Sequence, residues 1–325
     1  MGRAVTYSTL FVGLVLVFVP ARVLSSSGVL PPAATGPWQV AGLNERSIIV
    51  AVRHLPDGSP SSQVLWASGD GTSGLHHVDC LPFMASLPAG SIDCIWTDPP
   101  YLLSNDGITC VGGRMVKVNK GEWDRSRGVD LDHEFNRTWL AACYRVLKPA
   151  GALWVSGTLH VYLSVGMAMQ QLGFRILNDI VWEKPAPPPN LGCRCFTHST
   201  EMLLWATKAR KGGKDRHKFN YEAMKEENAG KQMKSVWRVS TPGGEEKTFG
   251  KHPTQKPVAL IARCLRATTD PGDVVFDPFA GSGSTGVAAL TSGRQFIGCE
   301  QDKTYAALAA RRLNGVQFGP DRVRA

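Results

Sequence analysis

The sequence lacks a hydrophobic segment long enough to cross a bilayer. Its longest apolar run, Leu10–Val19, is ten residues, against about 20 for a spanning helix. It has no internal repeat, so no repeat architecture is expected. Acidic side chains are in deficit: 27 Asp and Glu against 36 Lys and Arg, a formal net charge of +9. That balance favours a polyanionic partner, either nucleic acid or an anionic membrane surface; a basic protein with no such partner stays open. Eight cysteines in 325 residues are too sparse for a disulfide scaffold. Nor do they have metal-ligand spacing. Cys193-Arg194-Cys195 with His198 has no second ligand pair, and zinc normally takes four ligands, so no metal is expected.

What is present supports one large domain with an insert, since 43% of the residues are hydrophobic. Residues 1–73 are rich in Ser, Gly and Pro and show little periodicity. They read as an N-terminal extension. The apolar run after Arg3 resembles a signal-peptide core, so a cleaved targeting peptide and translation from an upstream start both remain open. From Gly74 the pattern becomes regular. GLHHVD and IDCIWTD read as strands, the second continuously apolar as in a sheet covered on both faces. DHEFNRTWLAACYRVLKPAG reads as a helix, ALWVSG as a strand, YLSVGMAMQQLG as a helix closed by Gly173, and FRILNDIVWEKP as a strand. Residues 74–184 thus form a first half of the domain. Between 185 and 250 the alternation weakens into a proline-rich connector, a short strand MLLWATK and a basic loop, read as an insert. It returns over 251–315 with a helix opened by Pro257, the strand DVVFD, a glycine loop, the strand QFIGCE and a last helix; 316–325 is a tail. Strands alternating with helices predict an α/β, doubly wound, mostly parallel sheet.

Two motifs carry chemistry. In VVFDPFAGSGSTG, Gly281, Gly283 and Gly286 are spaced G-x-G-x-x-G, and Glu300 follows at the end of the next strand. Alone this fits a dinucleotide fold and hence a nicotinamide-dependent oxidoreductase. Asp277-Pro278 before the first glycine, and the short chain left after Glu300, argue against that. The second motif, Asp98-Pro99-Pro100-Tyr101, ends the apolar strand Ile92–Trp96 abruptly. Prolines are poor strand residues, so a special turn is needed there.

Together TDPPY and DPFAGSGSTG resemble the DNA adenine-N6 and cytosine-N4 methyltransferases. The order, with Asp98–Tyr101 before the glycine loop, is similar to the permuted beta class. HPTQKP at 252–257 is a further match. NDGITCVGGRMVKVNKGEWD, PPPNLGCRCFTHSTE and GKQMKSVW resemble the MboII-type and single-strand-tolerant adenine methyltransferases of restriction–modification systems. The resemblance covers about residues 74–315. Its one departure, Ser284 where many relatives have Thr, keeps the hydroxyl.

The resemblance implies S-adenosylmethionine as cofactor on a Rossmann-like fold. Asp277 would sit near its amino-acid end, with Phe279, Gly281, Ser282, Gly283 and Thr285 lining the approach. Glu300 would take the ribose hydroxyls, Asp79 the adenine amino group with Cys80 nearby, and His252, Thr254 and Lys256 the methionine end. It implies Asp98, Pro99, Pro100 and Tyr101 as catalytic residues. Asp at 98 is associated with adenine N6 and Ser with cytosine N4, so adenine is expected, with cytosine N4 as the alternative. DNA, double- or single-stranded, is the expected partner. Lys208, Arg210, Lys211, Lys214, Arg216, Lys231 and Lys234 are the candidate phosphate contacts. Arg194, His198 and Trp237 are candidate base readers, and residues 105–123 a flap over the flipped base. A homodimer, and a cognate restriction endonuclease without direct contact, are left open. The chain is expected in the cytoplasm on the nucleoid, away from membranes.

Overall fold

The structure, a computed structural model, describes residues 63–103, 108–111, 114–117, 124–209 and 217–316. The chain enters through β1 (Gln63–Ala67) and β2 (Gly74–His77), then runs through α1 (Cys80–Ser86) to β3 (Ile92–Thr97). A hairpin, β4 (Ile108–Val111) and β5 (Arg114–Lys117), precedes α2 (Val129–Val146), β6 (Leu147–Gly157), α3 (Leu159–Gln171) and β7 (Phe174–Glu183). Then come β8 (Thr200–Lys208), α4 (Tyr221–Glu227), β9 (Val236–Arg238), α5 (Val258–Thr268), β10 (Val274–Asp277), α6 (Ser284–Thr291), β11 (Gln295–Glu300) and α7 (Lys303–Asn314).

The main sheet has the order β1-β2-β11-β10-β3-β6-β8-β7-β9. Neighbours from β2 to β6 are parallel; β8 runs against both β6 and β7, and β1 against β2. Successive side chains of a strand point to opposite faces, and the core divides accordingly. Leu153 and Val155 of β6, Val274 and Phe276 of β10, and Ile297 and Cys299 of β11 pack with α1, α2 and α3. Ala152 and Trp154, Val275, and Phe296 of the same strands pack with α5, α6 and α7. Both faces are covered, which is why these strands read as unbroken apolar runs rather than alternating ones. Among the described residues no helix is long and apolar enough to cross a membrane.

Two features differ from the sequence reading. The sheet begins upstream of Gly74: β1 adds an antiparallel edge, Gln63 opposite His77 and Ala67 opposite Gly74. Its short, half-exposed pattern gave no periodic signal. β8, inside the stretch read as an insert, lies in the main sheet, with Trp205 opposite Trp154 and Leu204 opposite Val155. Its residues Leu203–Thr207 are buried like those of any central strand.

The crevice lies between β10 and β3. From β3 the chain works outward to one side of the sheet, and from β10 to the other. Their carboxyl ends therefore meet at a switch point, where ligands of open α/β sheets bind. Cys94 pairs with Val275 and Ile95 with Phe276, so Asp98 and Asp277 emerge side by side at this edge. The third loop glycine serves packing: a Cβ on Gly286 would lie 2.7 Å from both Leu313 Cδ2 and Phe296 Cε1. We expect Gly286→Ala to destabilise the fold by about 1–3 kcal/mol, read as a lower urea midpoint at unchanged slope.

Candidate active site

β3 is buried through Thr97, and the two prolines end it where a rigid turn leaves no backbone N–H to compete for acceptors. Asp98 emerges with both carboxylate oxygens engaged. Tyr101 Oη donates to Oδ1 at 2.6 Å. Lys256 Nζ donates to Oδ2. Both side chains of that pair are nearly buried, 5% of Lys256 and 13% of Asp98 exposed. Lys256 arrives from HPTQKP, just ahead of α5. The resemblance placed it at the methionine end of the cofactor; its ammonium lies on the Asp98 carboxylate.

Behind this pair stands Glu201 of β8, a residue with no local sequence signal. Its Oε2 lies 3.6 Å from Lys256 Nζ and 3.3 Å from Tyr101 Oη. Its Oε1 holds Lys184 at the end of β7. Burial pushes the Asp98 carboxyl above its ordinary range; the Lys256 charge pulls it down and Glu201 pushes it further up. Burial acts upward on Glu201 too, but Lys256 and Lys184 together hold it below the ordinary value. Burial works against the Lys256 charge, yet Asp98 and Glu201 hold its proton more firmly than usual. The Tyr101 phenol is pushed well up by burial and by both carboxylates, so it serves as a donor.

On the far wall lies the glycine loop. Asp277 Oδ1 accepts from Phe279 N at 3.0 Å and Oδ2 from Thr285 Oγ1 at 2.6 Å. Burial still lifts its carboxyl to about 7. Glu300 Oε2 accepts from Gly281 N at 2.7 Å and Oε1 from Asp302 N at 2.8 Å, fastening the loop to the start of α7. Gly281 has φ of 52°, and a Cβ there would touch the His252 ring at 3.4 Å. His252 in turn lies edge-on to Tyr305, 4.2 Å between centroids. The buried Arg312 braces the loop from behind, donating to Ser282 O at 2.7 Å and to Ser282 Oγ and Ser284 Oγ.

Asp98–Tyr101, His252, Thr254, Lys256, Asp277, Phe279, Gly281, Ser282, Thr285 and Glu300 all line one cavity of about 510 Å³. That lies within the range of about 300–1,000 Å³ usual for small-molecule sites. Its walls suit a hydroxyl-bearing cofactor that carries both cationic and anionic groups. Carboxylates stand at Asp277, Glu300 and Asp302, the N-terminus of α6 offers free N–H groups, and the buried acceptor Gln255 Oε1 has no partner among the described residues. Gln255, Asp302 and Tyr305 escaped the sequence reading. Three of its candidates lie off the cavity wall. Asp79 caps α1, accepting from Leu81 N at 2.8 Å. Cys80 is buried in the core, its thiol pushed up by burial. Gly283 caps α6 with φ of 76°, and a Cβ there would meet Ala309 at 3.0 Å.

The candidate DNA residues separate by sheet edge. Arg194 and His198 are exposed on the loop joining β7 to β8, at the edge of the sheet where Asp98 emerges. That loop is closed by Lys184 N donating to Ser199 O at 2.8 Å, and its tip is held by Asn190 Nδ2 donating to Cys195 O at 2.7 Å. Phe196, 96% exposed, stands between them. Lys208 ends β8 at the other edge. Trp205 is level with Trp154 and Trp96, so Lys208 and Asp98 lie five residues apart along the sheet, about 16 Å. Lys208 is spread over the Tyr144 ring. Lys231 and Lys234 are exposed on the approach to β9, the outermost strand. Arg210, Lys211, Lys214 and Arg216 lie outside the described residues, as does the segment 105–123 except for the β4–β5 backbone. Trp237 is corrected: 6% exposed, packed near Trp154 and donating to Lys234 O, it is a core residue and cannot reach a base edge.

A family model described as DNA methylase (N6_N4_Mtase) matches residues 92–311. Among curated proteins, the type II methyltransferase M2.DpnII of Streptococcus pneumoniae is 52% identical over 239 residues, 74% of this chain and 88% of that protein. M2.MboI of Moraxella bovis is 44% identical over 249 residues, 77% and 90% of the two chains. Among solved structures, the M1.HpyAVI–SAM complex is 26% identical with a TM-score of 0.52, covering 74% of this chain and 98% of that one. The PvuII DNA methyltransferase (cytosine-N4-specific), 20% identical with a TM-score of 0.61 over 78% and 90%, shares the fold. Through the span that carries the aspartate turn, the charged cluster and the glycine loop, the chain belongs to the DNA methylase family.

Proposed function

We propose that this protein transfers the methyl group of S-adenosylmethionine to the N6 amine of adenine in DNA, as a modification enzyme of a type II restriction–modification system. The observation that carries the reading is the Asp98–Pro99–Pro100–Tyr101 turn opening into the same cavity as the Asp277–Thr285 loop. S-adenosylmethionine, when bound, supplies an electrophilic methyl on a sulfonium. Asp277 and Glu300 would hold its cationic and hydroxyl-bearing ends.

The exocyclic amine of adenine is a poor nucleophile because its lone pair is delocalised into the ring. Acceptors that draw on its hydrogens localise that pair. Asp98 supplies one and the Pro99 carbonyl a second, both on a backbone stiffened by proline. Tyr101 gives the base a ring to lie against. The gain comes from alignment and from stabilising the developing charge, so no covalent intermediate is needed. A base within a duplex cannot reach this edge, so the nucleotide is flipped or the substrate is already single-stranded. Asp rather than Ser at position 98 supports adenine over cytosine. The test is transfer of labelled methyl to oligonucleotides with and without adenine. Label entering only the adenine-containing set is expected; equal labelling of an adenine-free set would overturn the base assignment.

DNA would lie across the catalytic edge, on the loop carrying Arg194 and His198. Arg194, first expected to read a base, would there neutralise a phosphate and release counterions. We expect Arg194→Ala to lower the slope of log affinity against log salt by about 1, while Lys208→Ala leaves it unchanged. The reverse pattern in a salt titration would move the DNA to the other edge.

A further inference from the structure

Each oxygen of the catalytic carboxylate already holds a donor, so an incoming amine has to share that oxygen with a competitor. Asp98 Oδ1 accepts from Tyr101 and Oδ2 from Lys256. Each of these donors also faces a second carboxylate oxygen, and it is the same atom. Glu201 Oε2 lies 3.3 Å from Tyr101 Oη and 3.6 Å from Lys256 Nζ. The phenol has one proton and can serve only one carboxylate at a time. Glu201 itself is fixed from the other side by Lys184 and is only 11% exposed.

We propose that Glu201 is a positioning residue for methyl transfer, taking over the Lys256 and Tyr101 donors when the target amine docks on Asp98. This rests on Asp98 being the amine acceptor. In the resting site the two donors favour the ionised form of Asp98 against its burial and orient it. On docking, Lys256 and the Tyr101 hydroxyl lean toward Glu201 Oε2, and Asp98 accepts the amine hydrogens with less competition and fuller charge. No proton or covalent bond changes hands in this exchange; only the hydrogen-bond acceptor changes. Lys256 and Lys184 both favour the charged form of Glu201, which suits it as the second acceptor. The groups facing Asp98 are Tyr101 from its own turn, Lys256 from the segment before α5, Glu201 from β8 and Asp277 from β10.

The test is single-turnover methyl transfer against pH at saturating cofactor, for wild type, Glu201→Gln and Lys256→Met. Glu201→Gln should lower the plateau rate on the order of 100-fold, with DNA KM and cofactor Kd unchanged. Its acid limb should move to lower pH, because a negative neighbour of Asp98 is gone. Lys256→Met should move the limb to higher pH, because the cation is gone. Opposed shifts are not produced by loosened packing. Should the neutral amide of Glu201→Gln beside a buried Lys184 lower stability, Lys184→Met with Glu201→Gln removes the ion pair as a unit, which is often tolerated, and should show the same loss. An unchanged plateau, or limbs shifted in the same direction, overturns the proposal. If Asp98→Ala is active, the reading of Asp98 fails; if Asp98→Ala is dead while Glu201→Gln retains full rate, only the role of Glu201 fails.

Discussion

Asp98→Ala is expected to bind S-adenosylmethionine as the wild type does and to transfer methyl groups at least about 1,000-fold more slowly. The loss is large because Asp98 is the only carboxylate placed on the Pro99–Pro100 turn, at the carboxyl edge of β3. Cofactor affinity should persist because Asp277 and Glu300 hold their own partners, Thr285, Phe279, Gly281 and Asp302, none of them through Asp98. The substitution strands Lys256, which is 5% exposed. Breaking a buried pair from one side costs about 3–5 kcal/mol, and Glu201 at 3.6 Å offsets part of it. Asp98→Asn, which keeps an acceptor oxygen but no charge, should fold better and still be severely slowed. Calorimetry for the cofactor and a single-turnover assay for transfer separate the two effects. Substantial transfer by the alanine variant would remove Asp98 from the chemistry.

The second large effect concerns Asp277. Its carboxyl is lifted from 3.8 to about 7 by burial, although Thr285 and the Phe279 N–H favour the charged form. A cationic ligand favours the ionised state, so cofactor affinity should rise from pH 6 to pH 8, with a proton released on binding below about 7. Asp277→Asn should bind on the order of 100-fold more weakly at pH 8 and lose the pH dependence. The ligand-free fold should respond in the opposite sense. The folded-state pKa lies above the unfolded value, so the native state holds this proton more tightly. Stability from this group is complete below about 4 and is lost as pH rises to about 7. Asp277→Asn therefore evens out that decline while it weakens binding. A pH-independent wild-type affinity, from calorimetry in buffers of differing ionisation heat, would contradict this.

The parts of the site that the sequence discloses are those where local geometry demands special residues. Two prolines after a buried strand mark a rigid turn. Gly281 is favoured by a positive φ beneath the His252 ring, and Gly283 by a positive φ against Ala309. The parts that stay hidden depend on strand pairing. Glu201 reaches Tyr101 from 100 residues away because β8 runs antiparallel beside β6, and a single glutamate ahead of an apolar strand carries no pattern. The same reversal moves Lys208 to the edge away from Asp98, although its charge suggests a DNA contact. Arg312 lies on α7 with no motif, and only the packing of α7 behind the glycine loop reveals its three bonds. Asp79 shows the converse. A carboxylate at a strand end suits both a ligand contact and a helix cap, and here it caps α1.

The most direct measurement is nucleoside analysis. DNA of mixed sequence is incubated with the protein and isotopically labelled S-adenosylmethionine, digested to nucleosides and resolved by mass spectrometry. The account predicts label in N6-methyldeoxyadenosine and none when Asp98→Ala replaces the wild type. Label in N4-methyldeoxycytidine, or none in any nucleoside with the wild-type protein, would contradict it.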